Sequence, residues 1–261
     1  MLNIDQIANF FPLNLRENPI YHKYMLKEYL QLVILDYLST TKYIRKIVFI
    51  GGTNLKLIKG IDRFSEDLDF DCKQMSKQDF IEMIDSILEF LLKSGMKAET
   101  QDKENDKLKA FRRNFYFPSL LFDLGLSGYK EERFLIKVEY QDQQIEYQPD
   151  MVNIKGCGLF FPFPVPADDV LCAMKLSALL SRQKGRDFYD AMFLLGQTSP
   201  TYSYLSLKYG IKNLSDLKTA IAELMLKVDL KQKSKDFEHL LFSKGNSQRI
   251  LAFGEFIKQL K

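Results

Sequence analysis

The sequence has few of the residues that build disulfide frameworks and zinc sites. Its three cysteines, Cys72, Cys157 and Cys172, are odd in number and have no C-x-x-C spacing. This pattern argues against a disulfide framework or a zinc site and predicts three reduced packing residues. The two histidines, His22 and His239, have no histidine or cysteine neighbour, which favours surface or capping roles.

Long apolar runs are also lacking. Charged residues interrupt every apolar stretch within about ten residues, whereas a membrane helix needs about 20. A basic-then-apolar leader is missing from the N-terminus. We therefore expect a soluble, cytoplasmic protein with no membrane partner. Its 261 residues, 46% of them hydrophobic, suffice for a substantial core.

The net charge is small, at +3, and does not by itself indicate nucleic-acid binding. Residues 201–261 contain 11 Lys or Arg and 6 Asp or Glu, so the positive charge is concentrated near the C-terminus. Such a region would suit an RNA substrate. Solvated lysine-rich helix faces are common, however, and composition alone favours that interpretation.

The most informative stretch is 47–71. Residues 47–50 form a β-branched and aromatic run of strand length, which stops at Gly51 and Gly52. Thr53 can cap a short helix that follows. The pattern predicts exposed backbone amides beside a glycine turn, an arrangement that suits phosphate oxygens.

Acidic residues alternate with apolar ones at the end of this stretch. Asp67, Asp69 and Asp71 fall on one face of a predicted strand, and Leu68 and Phe70 fall on the other. Carboxylates this close repel one another unless a cation such as Mg²⁺ binds them. A lone D-x-D is typical of a solvated edge strand, but the glycine turn just upstream favours a metal and nucleotide site.

The runs G-G-T-N-L and R-F-S-E-D-L-D-F-D resemble the signature of the AbiEii/AbiGii toxin family of nucleotidyltransferases, a branch of the polymerase-beta-like superfamily. The resemblance extends from about residue 27 to about residue 190. It implies that Asp67 and Asp69 are the paired metal carboxylates. Threonine stands where serine is commoner, which keeps the hydroxyl. The residues that the resemblance places around the nucleotide are Gly51, Gly52, Thr53, Arg63, Ser65 and Lys175.

A third metal carboxylate is implied on a neighbouring strand, where Glu139 is the matching position. Phe134 to Tyr140 alternates as a strand, so Lys137 and Glu139 project from one face. The alternative is an ordinary surface Lys/Glu pair. Lys137 could also contact phosphate.

The run K-L-S-A-L-L-S-R-Q-K-G-R-D-F-Y-D resembles a second signature of the same family. On that resemblance Lys175 acts toward the nucleotide phosphates and Asp187 acts in positioning or proton transfer. Arg182 lies seven residues after Lys175, on the same helical face. Without the resemblance, Asp187 would be interpreted as a helix cap paired with Arg186.

Prolines and glycines between residues 146 and 166 predict an irregular connector. The expected organisation is a nucleotidyltransferase core with an N-terminal helix in residues 1–150, and a helical region in 151–261 that contributes Lys175 and Asp187. The expected fold class is α/β (α+β), a polymerase-beta-like nucleotidyltransferase fold with a short mixed sheet flanked by helices.

The resemblance implies a phage-defence toxin of a toxin and antitoxin pair. It would transfer NMP from an NTP to an acceptor hydroxyl on RNA, such as tRNA, using two Mg²⁺ ions, and an antitoxin protein would restrain it. One alternative is a catalytically silent nucleotide- or RNA-binding protein of the same fold, against which the intact Asp67 and Asp69 count. Another is an aminoglycoside-type transferase acting on small molecules.

Overall fold

The structure is a computed structural model that describes residues 2–73, 75–101 and 111–261. The chain divides into two compact units. The segments of the first unit are Met1–Lys59, Phe64–Gln144 and Pro149–Val165. The segments of the second unit are Gly60–Arg63, Ile145–Gln148 and Pro166–Lys261.

A five-stranded sheet forms the centre of the first unit, as far as its described residues show. The strands are β1 (Ile47–Ile50), β2 (Asp67–Cys72), β3 (Glu99–Gln101), β4 (Phe111–Tyr116) and β5 (Leu135–Gln141). Their order is β1-β2-β5-β4-β3, and only the β2 and β5 pair is parallel. The sheet is therefore short and mixed, as the sequence predicted. The aromatic-rich run 109–117 has the sequence pattern of a strand, and its first two residues, 109–110, lie outside the described residues.

The strand β2 separates acidic from apolar side chains as its alternation predicted. Leu68 and Phe70 are fully buried, whereas Asp67 and Asp69 project from the opposite face. The parallel register pairs Asp67 with Lys137 and Asp69 with Glu139. Because register partners project from the same side of a sheet, these four side chains share one face.

Two strands pack as a separate antiparallel hairpin on the first unit: β6 (Asp150–Gly156) and β7 (Leu159–Val165). The prediction of an irregular connector here was wrong. Pro162 and Pro164 occupy alternate positions of β7, a strand that pairs on one side only, and proline is tolerated on such an edge strand. The ring of Phe163 packs on Phe49 and Phe70 at 5.9 and 6.1 Å between centroids, which attaches the hairpin to the apolar face of the sheet.

The helices of the first unit flank this sheet. They are α1 (Ile4–Ala8), α2 (Leu13–Arg16), α3 (His22–Ser39), α4 (Gly51–Leu57), α5 (Lys77–Lys93) and α6 (Leu120–Asp123). The spacing of Ser76 and Asp79 in the sequence is typical of a capping box, and the two residues form one at the start of α5. Thr53 does not cap α4 as predicted, because the helix already begins at Gly51.

Helices make up the regular structure described in the second unit. They are α7 (Asp168–Arg182), α8 (Gly185–Leu195), α9 (Tyr202–Tyr209), α10 (Leu214–Met225), α11 (Leu230–Lys235) and α12 (Phe253–Gln259), with a 3-10 segment at Lys244–Ala252. The helix α8 packs against α7, α11 and α12. A Cβ at Gly185 would collide with the carbonyl oxygen of Lys233, so glycine allows α8 and α11 to meet closely.

The cysteines and the helices bear on disulfide bonding and on membrane crossing. Cys72, Cys157 and Cys172 are free thiols, in agreement with the sequence. Among the helices in the described residues, none combines the length and the apolarity that crossing a bilayer requires.

Candidate functional site

The acidic face of β2 lies directly against the glycine turn. Gly51 has φ +85°, and a Cβ at that position would collide with the carboxylate of Asp69. Glycine therefore serves two purposes here: it adopts the left-handed backbone, and it leaves room for Asp69. The structure brings together the glycine turn and the second carboxylate of the D-x-D pair.

The hydroxyl of Thr53 strengthens the same junction. It donates a hydrogen bond to the backbone carbonyl of Asp67, and the side chain is buried. Thr53 thus ties α4 to β2, and its hydroxyl proton is used within the protein. Gly52 is partly exposed beside it. Ser65 is nearly buried, and its backbone carbonyl accepts from the side-chain amide of Gln31 at 3.3 Å.

A lysine ammonium lies between two carboxylates of this face. Lys137 Nζ is 2.7 Å from Asp67 Oδ2 and 3.3 Å from Glu139 Oε2. Arg112, on β4, reaches the same oxygen of Glu139 through Nη2 at 2.8 Å and Nε at 3.0 Å. Glu139 is therefore on the predicted face and beside Asp69, but it is bound by two cations.

The pKa of Lys137 is affected by its burial and by the carboxylates around it. Partial burial works against the charged form, but the carboxylates of Asp67, Glu139 and Asp69 outweigh it and raise the pKa of the ammonium above its usual value. Lys137 is therefore a fixed positive charge on this face at neutral pH.

The third acid of the row has a different environment. Asp71 is buried, and its carboxylate accepts a hydrogen bond from the backbone N–H of Gln143 at 2.9 Å. This contact fixes the segment that follows β5. Asp71 therefore links β2 to the segment that follows β5, and its side chain is shielded from solvent.

The donor chemistry of Asp67 and Asp69 fits a hard divalent cation, which prefers carboxylate oxygens. Over the described part of the chain, no group of three or more His, Cys, Asp or Glu side chains is arranged to hold a metal ion. Glu139, the acid on the neighbouring strand, is bound by Lys137 and Arg112. As the side chains stand, an ammonium occupies the position between Asp67 and Glu139.

A second cluster lies entirely within the second unit. Arg63 Nε and Nη2 donate to Asp190 Oδ1 and Oδ2, both at 2.8 Å, and Lys175 Nζ donates to Asp190 Oδ2 at 2.8 Å. Arg63 and Asp190 are about 1% exposed, and Lys175 is 6% exposed. Two residues that the resemblance placed around the nucleotide, Arg63 and Lys175, therefore share one buried carboxylate.

Burial and charge act on the pKa values of this cluster in opposite ways. Burial would raise the pKa of Asp190, but the charges of Arg63 and Lys175 outweigh it and hold that pKa below its usual range. Burial lowers the pKa of Lys175, and the neighbouring Arg63 cation adds to that decrease, while Asp190 opposes both.

Asp187 lies one helical turn before Asp190 on α8. It is fully buried and accepts from Arg182 Nη2 at 2.7 Å and from the backbone N–H of Lys184 at 3.0 Å. Asp187 thus caps the helix, as the interpretation without the resemblance suggested, and Arg182 pairs with it. The ion pairs Lys175 to Asp190 and Arg182 to Asp187 thus join α7 and α8.

Sequence reasoning missed the importance of Arg112 and Asp190. The partner of Arg112, Glu139, could not be known without the register of β4 on β5. Asp190 was signalled by spacing. Asp187 and Asp190 are three residues apart on one helix, and the two cations that meet them also share a helical face.

Comparison with known proteins identifies the family and the fold. A family model described as nucleotidyl transferase AbiEii toxin, Type IV TA system, matches residues 33–241. No curated protein matches the chain.

Two solved structures with the same fold match nearly the whole chain. MenT4, a nucleotidyltransferase toxin from Mycobacterium tuberculosis H37Rv, is 17% identical, with a TM-score of 0.60 and coverage of 100% of this chain and 91% of that one. JHP933 from Helicobacter pylori is 19% identical, with a TM-score of 0.55 and coverage of 91% of each chain. At such identities the likeness establishes the shared fold.

Proposed function

The chain belongs to the AbiEii family of nucleotidyl transferase toxins, and we propose that this nucleotidyltransferase moves a nucleoside monophosphate from an NTP to a hydroxyl of RNA, such as transfer RNA. In that reaction the acceptor oxygen bonds to the α-phosphorus, the bond from that phosphorus to the bridging oxygen breaks, and pyrophosphate leaves. The hydroxyl proton passes to solvent. The Type IV description of the family supports an antitoxin as the partner.

The observation that carries the proposal is the contact of Asp69 with Gly51. The carboxylate of Asp69 lies against the glycine turn at which α4 begins, and Asp67 lies two residues away on the same face. A triphosphate needs both a divalent cation and hydrogen-bond donors for its oxygens. Carboxylates that could bind such a cation and the backbone N–H groups of a glycine turn lie within a few residues of each other in the first unit.

Asp67 and Asp69 would hold the divalent cation. When bound, such an ion lowers the pKa of the acceptor hydroxyl and balances the charge of the departing pyrophosphate. The N–H groups of Gly52 and its neighbours orient the phosphates. Glu139, the third acid expected here, contributes to the site through its contacts with Lys137 and Arg112.

The contacts of the second cluster favour positioning roles. Lys175 and Arg63 both bind Asp190 in a buried environment, and Asp187 caps α8. We therefore assign Lys175 and Asp187 to holding α7 against α8. The phosphate and proton-transfer roles that the resemblance implies would require these contacts to break.

Radiolabelled nucleotide transfer tests the proposal. Purified cellular RNA is incubated with each of the four NTPs, with and without EDTA, and aminoglycosides replace RNA in a parallel series. We expect label on RNA only, and none with Asp67→Asn or Asp69→Asn. The matched control is Asp150→Asn, an exposed carboxylate on β6, which should retain full transfer.

Other outcomes would contradict specific parts of the proposal. Label on aminoglycosides would replace the RNA acceptor with a small molecule. Nucleotide binding without any labelled product would indicate a catalytically silent binding protein. Full transfer by the Asp69→Asn variant would remove the D-x-D pair from the reaction.

A further inference from the structure

Lys137 holds a positive charge between two carboxylates of this face. Its ammonium is within 3.3 Å of one oxygen of Asp67 and one of Glu139. The side chains of all three residues are only 22–23% exposed. Water and salt therefore screen these interactions less than they screen a fully exposed ion pair.

The fold fixes where this lysine projects. Its neighbours on β5, Ile136 and Val138, are fully buried, so a shift of the strand by one residue would expose both. The parallel register then sets Lys137 beside Asp67. The backbone of Lys137 is thus fixed by the sheet. Its ammonium can still move away from Asp67, because a flexible four-carbon side chain connects it to the backbone.

Positive charges offset much of the negative charge on the open part of this face. Besides Asp71, which is buried and accepts a hydrogen bond from Gln143, the charged side chains that the register gathers there are Asp67, Asp69, Glu139, Lys137 and Arg112. Three of these five are negative and two are positive, which leaves one net negative charge among them. This offset weakens the attraction for a free divalent cation, and Lys137 supplies the positive charge that lies 2.7 Å from Asp67.

We propose that Lys137 is the resident counter-cation of this face, and that a divalent cation binds Asp67 and Asp69 by displacing its ammonium. The identity of the site rests on the proposed function. After displacement, the ammonium needs a new anion. Glu139 keeps Arg112, whereas a triphosphate brings several phosphate oxygens. A divalent cation and a triphosphate therefore bind together more tightly than either binds alone.

The decisive measurement is Mn²⁺ binding by calorimetry without nucleotide. Lys137→Met keeps the length of the side chain and removes its charge, so it should bind Mn²⁺ about tenfold more tightly than the wild type. Lys137→Arg should keep the weak wild-type affinity. Lys93→Met, which removes a lysine from an exposed pair with Glu89, is the matched control and should change nothing.

A second readout does not depend on activity. Without metal, Lys137→Met should melt a few degrees lower than the wild type, because Asp67 and Glu139 lose an ion-pair partner. Mn²⁺ should then raise its melting temperature more than that of the wild type. A non-hydrolysable triphosphate should enhance Mn²⁺ binding strongly in the wild type and weakly in the variant. Lys137→Gln provides a second neutral variant if the methionine variant does not fold.

These measurements distinguish a failure of the proposed cation exchange from a failure of the proposed function. If the wild type and Lys137→Met bind Mn²⁺ with equal affinity, and Asp69→Asn abolishes binding in both, the exchange is overturned and the metal site stands. If neither protein binds Mn²⁺, with or without the triphosphate, the metal site and the exchange are both overturned.

Discussion

Arg63 and Asp190 are separated by 127 positions in the sequence, yet their side chains form a two-pronged ion pair with both hydrogen bonds at 2.8 Å. Both side chains are about 1% exposed. Arg63 lies four residues before Asp67, in the segment between α4 and β2. The pair therefore holds the short segment that ends at Arg63 to α8 within the second unit.

Replacing Asp190 tests the stability of this cluster. Asp190→Asn would leave Arg63 and Lys175 as two buried cations without their carboxylate, so we expect a loss of about 3–5 kcal/mol in the free energy of unfolding. Urea denaturation followed by circular dichroism measures it. Glu89→Gln, in the exposed pair with Lys93, is the control and should cost less than about 1 kcal/mol. Equal effects of the two substitutions would contradict a stabilising role for the cluster.

The lowered pKa of Asp190 predicts that the folded protein loses stability at acid pH. The pKa of Asp190 in the folded protein lies below its usual range, which in the unfolded chain is about 3.9. Its contribution is therefore present above about pH 4 and is lost as the pH falls through the folded value. Urea titrations at pH 6, 5, 4 and 3 should show the wild type approaching Asp190→Asn at the acid end. A constant difference between them would argue against this assignment.

Substitutions at two glycines allow the effect of backbone strain to be distinguished from the effect of contact with the site. Gly51 and Gly60 both have positive φ, at +85° and +72°, but only a Cβ at Gly51 meets Asp69, while a Cβ at Gly60 has nothing within 4 Å. Gly60→Ala should cost about 1–2 kcal/mol for the left-handed backbone. Gly51→Ala should cost more and should also abolish nucleotide transfer, since Asp69 must move.

Thermal melting and the RNA labelling assay measure these two effects. Transfer at the wild-type rate by Gly51→Ala would show that the contact between Gly51 and Asp69 has no part in catalysis.

The thiols should be unreactive in the folded protein. Burial, with smaller effects from nearby charges, raises the pKa of Cys157 and Cys172 to about 12 and that of Cys72 still further. At pH 8 about one thiol in ten thousand would then be ionised, and the thiolate is the reactive form. Ellman's reagent should therefore titrate the thiols rapidly only in denaturing urea. Rapid labelling of the native protein would contradict the packing role, and a Cys157→Ser variant would identify the thiol concerned.

Much of the first unit followed from neighbouring residues alone. The alternation of β2, the strand before Gly51 and the capping box of α5 each depend on residues that are two to four positions apart. Local geometry determines such patterns. The prediction of an irregular connector failed because proline was interpreted as a breaker. Whether Pro162 and Pro164 break a strand depends on which side of it is paired, and that is a tertiary property.

The sequence by itself determined which side chains are charged, which of them share a strand or helix face, and which family the pattern resembles. Only the tertiary structure decided their partners: Lys137 with Asp67, Arg112 with Glu139, and Asp190 with both Arg63 and Lys175. The reason is physical. Periodicity acts between neighbours along the chain, whereas an ion pair depends on strand register and helix packing between residues far apart in sequence.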